Sequence, residues 1–354
     1  MSNRFKTGAR TGRAAMLALT LASAGCTVAG GNVASTPSPA TALAADEASA
    51  PAAPAWWKEA GDPVLVALVQ QALDSSQEVI CTISALRQYD QQTAEDARRL
   101  GARLGRLLGD RNVRPDPQLR DDRVERVVTR RVRLARQVAA AYVEVRRLQQ
   151  DIALRGALRA QYKDNAEVAQ FRREAGLASA IDGALARSQD ETAQGELGFS
   201  QGRLDSAMAE LARLVGDKPD VLAEKLGSPG AIPDPPVDPL AIAPPEDPRR
   251  ASLADGVLRE ARLTQALQEA RRTVRDARGA YRQGAGPFST LYVAEAASTA
   301  VELALVDARA GRVTATLDLW SGQDDAWARG GLTPIVAPFP APTAETITVT
   351  AACD

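Results

Sequence analysis

Cys26, Cys81 and Cys353 are the only thiols in the chain, and no histidine stands anywhere to activate one. A Ser or Cys nucleophile depends on a neighbouring base, most often His, so Ser–His and Cys–His catalysis are both excluded. The same gap removes His-type proton shuttling and most zinc sites. The cysteines form no C-x-x-C pair and no metal-ligand spacing. No Gly-rich phosphate loop, nucleophile elbow or metal cluster is expected. These residues predict no enzyme, no catalytic residue, no metal and no cofactor. The formal net charge of −1 leaves no basic footprint for nucleic acid, so nucleic acid is not an expected partner.

Cys26 has a context that the other two lack. The N-terminal stretch carries Arg4, Lys6, Arg10 and Arg13 without an acid, and the apolar run AAMLALTLASAGC follows. This is a basic segment before an apolar segment too short for a stable bilayer span. Small residues, Ala24 and Gly25, stand just before Cys26. The arrangement resembles the lipobox of bacterial lipoproteins, which implies acyl (palmitate) chains on Cys26 and a new N-terminus there. The alternative is an ordinary cleaved signal peptide with an incidental Cys. On either reading the mature chain leaves the cytoplasm. Residues 27–54 are mostly Ala, Pro, Ser and Thr, a composition that predicts a disordered tether.

Long helices are expected to position whatever function the body has. Aromatic residues make up only 4% of the chain, and Ala, Leu, Arg, Gln and Glu are abundant. Asp62 reads as an N-cap with Pro63 at the first helical position, and Trp56 and Trp57 read as core anchors. Cys81, after Val79 and Ile80, reads as inert core, and Cys353 as a free thiol. A run from about 122 to 174 holds a seam of Leu134, Val138, Ala141, Val145, Leu148 and Ile152. After a turn, Leu197, Leu204, Ala207, Leu211 and Leu214 form a second seam. Two seamed helices joined by a tight turn predict an antiparallel hairpin. Gly176 is expected to end the first helix and Ser179 to cap the second. Residues 217–250 are rich in Pro, so regular structure is not expected there. A second hairpin follows, with helices over about 251–283 and 289–319 joined by GAGPFS. The Arg runs at 98–106 and 130–137 read as solvated helix faces, with anionic lipid headgroups as the lesser alternative.

The segments PAWWKEAGDPVLVALVQQAL, AAAYVEVRRLQQDIAL, FRREAGLASAIDGALARSQ and LARLVGDKP resemble the TolC-type outer-membrane efflux proteins. The similarity is to the lipoprotein (NodT-like) branch serving resistance-nodulation-division pumps, and it covers most of 54–331. The resemblance implies export of small toxic compounds through a helical tunnel made by three chains. The expected partners are a periplasmic adaptor and an inner-membrane pump. It implies that the hairpin turns are adaptor-contact tips. Ala175, Gly176, Leu177, Ala178 and Ser179 would form the first, and Ala285, Gly286, Pro287, Phe288 and Ser289 the second. An exposed Leu or Phe would supply an apolar contact at each, the alternative being plain interhelical turns. It also suggests that Asp182, Glu191 and Glu196 line a tunnel near the tip.

One family feature is missing from the sequence. Two membrane strands and a turn need some twenty residues or more, roughly 9 to 11 per strand with alternating polarity. The segment DRNVRPDPQLRDD is shorter, charged and without alternation. The second repeat has the same defect. The expectation is an all-α fold of two repeated long antiparallel hairpins, held to the outer membrane by lipid, with its body in the periplasm. Its organisation reads as signal peptide 1–26, tether 27–54, first helical repeat 55–216, Pro-rich equatorial linker 217–250, truncated second repeat 251–331 and tail 332–354. An adaptor-binding coiled-coil scaffold without channel activity is the alternative function.

Overall fold

A computed structural model describes residues 55–98, 104, 105, 107, 108, 117–176, 180–235, 245–322 and 325–334. Cys26, the tether, Cys353, Leu177, Ala178 and Ser179 lie outside the described residues. Among the described residues every regular element is helical, and none is a strand.

A 3-10 turn, Trp56–Ala60, leads into α1, Pro63–Ser75. Asp62 caps α1 as its residue type predicts: Oδ1 accepts from the N–H groups of Val64 and Leu65 at 2.9 and 3.2 Å. Leu65, Leu68, Val69 and Ala72 form the buried stripe of α1. Helix α2 runs Gln77–Arg98, and α3 runs Pro117–Glu174 over 58 residues, roughly 87 Å of rise. Helix α4, Ala180–Val215, returns along α3. Helix α5, Pro219–Leu226, lies inside the stretch expected to be irregular. Pro219 stands in its first turn, where a missing N–H costs nothing, and Leu222 and Leu226 are buried one turn apart. Two long helices, α6 (Arg249–Arg282) and α7 (Phe288–Ser321), make the second hairpin, and α8 (Ala326–Arg329) is a single turn.

The sequence shows α3 as half of a coiled coil. The structure makes it the central helix, packed on α4, α7, α2, α1 and α8. Burial along Ala141–Asp151 is therefore nearly all round and includes Tyr142, Arg146, Arg147 and Asp151. Helices α4 and α6 stand on the two flanks. Only Leu253 and Leu267 of α6 are buried, because α6 rests chiefly on α7. Helix α7 is long and apolar enough to cross a membrane by length and composition. Here it lies between α3 and α6, with Leu305, Val306, Val313 and Leu317 buried.

The main core joins the 3-10 turn, α1, α3, α4, α5 and α7, and all four tryptophans gather in or against it. Trp57 is buried, and its ring meets Trp327 edge-on at 4.4 Å. Cys81 differs from expectation. It is half-buried and disulfide-bonded.

The Arg run at 130–137 is not simply a solvated face. Arg130 pairs with Glu78, Arg131 donates to the carbonyls of Ala328 and Gly330 at 2.8 and 2.9 Å, and Arg136 meets Asp318 at 2.7 Å. These arginines fasten α2, α8 and the end of α7 to α3.

Candidate functional site

The two turns singled out by sequence form one end of the body. The first follows α3. The N–H of Ala175 donates to the Phe171 carbonyl and that of Gly176 to the Arg173 carbonyl, both at 3.0 Å. Gly176 has a φ of 73°, a left-handed conformation that costs a residue without Cβ little. In the second turn the residue that reverses the chain is Gly284, at φ 72°, two positions before Gly286. The N–H groups of Ala285 and Gly286 both donate to the Ala280 carbonyl, at 2.9 and 3.2 Å. Pro287, at φ −74° and ψ 152°, then opens α7.

Phe288 is buried, so it is not the exposed apolar contact the sequence suggests. It packs with Ala169 of α3 and Ala186 of α4, flanked by Ala166, Tyr281 and Tyr292. The rings of Tyr281 and Phe288 lie 5.7 Å apart, and the Arg172 guanidinium sits 4.9 Å above Tyr281. Four helices from both hairpins thus share one small cluster. Phe288 spends its apolar surface joining the turns.

The outward surface there consists of Ala175, Gly176, Ala285, Pro287 and Ser289, all exposed. The large exposed apolar side chains are others: Phe171 at 70% and Ile181 at 77% beside the first turn, and Val293 at 62% on α7. The sequence reading missed these three. Phe171 opens the motif FRREAG, but a lone aromatic near a helix end gives no sign of which way it faces.

Behind this end lies a buried polar node. Glu295 of α7 is 3% exposed. Its carboxylate accepts from Arg278 of α6 at 2.7 Å and from Asn165 of α3 at 3.0 Å, joining three helices. The rings of Tyr162 and Tyr292 stand 5.5 Å apart beside it. Burial, then Tyr292 and the Glu295 charge, push the Tyr162 phenol well above its ordinary range.

Along α3 and α4 runs a ladder of polar links. Ser200 donates to Asp151 at 2.7 Å, Arg155 joins Asp151 at 2.8 Å and Glu196 at 2.6 Å, and Arg159 approaches Asp190 at 3.4 Å. Glu196 is therefore held by an arginine of its own chain, Glu191 is exposed, and the side chain of Asp182 lies outside the described residues. Gly198-x-Ser200-x-Gly202 has the spacing of a nucleophile elbow. It sits in the middle of α4, and Ser200 is buried with its hydroxyl on Asp151. That is helix packing without an exposed strand-to-helix bend.

With this geometry, the fold resembles three solved membrane proteins. The outer-membrane channel OprN superposes with a TM-score of 0.59 at 14% identity, over 78% of this chain and 92% of that one. The outer membrane protein VceC from Vibrio cholerae gives 0.55 at 15%, over 78% and 98%. A membrane protein from Pseudomonas aeruginosa gives 0.57 at 16%, over 77% and 92%. No family profile matches the sequence, and no curated protein matches it significantly. The likeness is one of fold: the described helices have the arrangement found in these solved membrane proteins.

Proposed function

We propose that this chain is an outer-membrane-factor-like component of a tripartite efflux system, without catalytic activity. Three copies form a helical tunnel for small toxic compounds. A periplasmic adaptor, linked to an inner-membrane pump, meets the end built by the two turns. Acyl chains on Cys26 hold the protein to the outer membrane, with its body in the periplasm. The observation that carries this reading is the joining of both turns into one end with Phe171, Ile181 and Val293 facing out. The fold likeness to outer-membrane channels supports it.

The flanks support self-association. Helix α6 carries nine Arg against four acids, and α4 six acids against three Arg, so the two open edges are of opposite charge. A head-to-tail contact between unlike edges builds a ring when its rotation closes. Phe199, 72% exposed on α4, adds apolar surface to that edge.

The test is a photo-reactive amino acid at Phe171 in living cells, with a second at Leu258 on α6 as comparison. An adduct with a periplasmic adaptor at 171 and an adduct with another copy at 258 are expected. No adaptor adduct at 171 would overturn the reading of the tips. The scaffold alternative rests on the sequence's lack of room for paired membrane strands. Conductance in a planar bilayer separates the two, because a scaffold opens no pathway. Intact mass with acyl chains on residue 26 checks the anchor.

A further inference from the structure

The two most exposed large apolar side chains among the described residues, Leu107 and Leu108, lie at the opposite end of the body. Leu104 is 63%, Leu107 84% and Leu108 80% exposed. The N–H of Leu108 donates to the Leu104 carbonyl at 3.0 Å, so the three share one helical turn, at i, i+3 and i+4. Leu119, in the first turn of α3, is 50% exposed. No described residue covers the leucine turn. Asp90 of α2 meets Arg120 near the Pro117 end of α3, and the long helix separates that end from the turns after Glu174.

The charge of the same stretch indicates what covers these leucines. Residues 98–108 hold four Arg and no acid. Leucines at helical spacing among arginines suit the boundary between anionic headgroups and acyl chains, where apolar burial and electrostatic attraction act together. A protein partner would be expected to offer polar groups to the leucine turn's neighbours, and a neutral apolar groove would gain nothing from four arginines.

We propose that the Leu104–Leu108 turn is an interfacial docking element that rests this end of the body on an anionic lipid surface. It does not span the bilayer. It orients the long axis so that the paired turns point away from the membrane. The inference stands apart from the adaptor reading, which concerns the other end.

The experiment is vesicle flotation of the chain from residue 27 onward, made in the cytoplasm so that it carries no acyl chain. Vesicles of phosphatidylcholine are compared with vesicles in which about a third of the lipid is phosphatidylglycerol. Binding about tenfold or more tighter to the anionic vesicles is expected, with a drop of about tenfold or more on L104S/L107S/L108S. Phe171→Ser, at the far end, should bind as the unaltered chain does. Circular dichroism shows whether each variant is folded, and Leu107→Asp provides a second, single-site version. Failure of the unaltered chain to float, or equal flotation of the triple variant, overturns the proposal. Self-association that disappears with the leucines, in the absence of vesicles, also overturns it and gives the turn to a second copy. None of these results changes the cross-linking expected at Phe171.

Discussion

The Arg146 guanidinium lies over the ring of Tyr142, one turn back on α3, with its central carbon 5.1 Å from the ring centroid. Its Nε donates to the Tyr142 oxygen at 3.0 Å, and that hydroxyl donates to Asp62, the cap of α1, at 2.7 Å. The remaining guanidinium nitrogens reach Gln149 at 2.9 Å and the carbonyls of Leu226 and Ser228 at 3.2 and 3.3 Å. One buried arginine thus ties the start of α1 and the end of α5 to the central helix.

Replacing Arg146 with Leu should therefore cost about 2–4 kcal/mol, since the carbonyls it serves lose their donor in a buried place. Gly230→Ala should act on the same clamp, because a Cβ there would come within 2.9 Å of the Arg146 guanidinium carbon. Its expected cost is about 1–3 kcal/mol. Urea unfolding followed by tryptophan fluorescence measures both, as the tryptophans report the core that the clamp closes.

Tyr142 gives the fold a pH dependence. Burial first, then the hydrogen bond to Asp62, push its phenol from 10.0 up to about 12. The folded chain holds this proton more tightly than the unfolded chain does. The contribution is complete below the unfolded value and is lost as pH rises through the folded one. Stability should fall between pH 10 and about 12, by at most about 1.4 kcal/mol per pH unit for this group. Tyr142→Phe should flatten that slope. Chemical denaturation at a series of pH values would show it, and an unchanged slope would remove Tyr142 as its source.

Glu295 should matter more for local order than its single position suggests. Glu295→Ala leaves Arg278 and Asn165 without their shared acceptor and should cost about 2–4 kcal/mol. Glu295→Gln keeps an acceptor oxygen but not the charge and should cost about half as much. Hydrogen exchange is the sharper readout. Faster exchange is expected in α6 near Arg278 and in α3 near Asn165, and protection near Ala135 should stay as it was.

Phe288 and Phe171 offer a contrast between two aromatics at the same end. Phe288→Ala opens a cavity among Ala169, Ala186 and Tyr281 and should cost about 3 kcal/mol. Phe171→Ser changes an exposed position and should stay within about 0.5 kcal/mol. Thermal melts of the two variants separate the side chain that joins the turns from the one that stands exposed beside them.

Helix periodicity and cap chemistry made the hairpins, the α1 cap and the turn at Gly176 legible before any coordinates. Those features are set by neighbours in sequence. The seam at Leu134–Ile152 was legible as an apolar line, but periodicity cannot show that a helix has partners on several sides. Arg146, Arg147 and Asp151 look like solvent-facing residues for that reason. Helix α5 was hidden by the prolines around it, although Pro219 sits where a helix accepts one. The burial of Phe288 and the exposure of Phe171 depend on how two hairpins meet, a relationship no local pattern records. Leu177, Ala178, Ser179 and Cys26 were named from sequence and lie outside the described residues.

The central position of α3 also sets an order of assembly. One flank of α3 is completed by α7 and α8, translated some 150 to 200 residues later. Arg120 finds the Leu332 carbonyl, and Arg131 that of Ala328, only when nearly the whole chain has been made. The chain emerges N-terminus first, so α3 has to wait with apolar and arginine side chains uncovered until its last partners arrive. A chain stopped before α7 keeps a hairpin of α3 and α4 with one side bare, a better substrate for chaperones and proteases than for completing the fold.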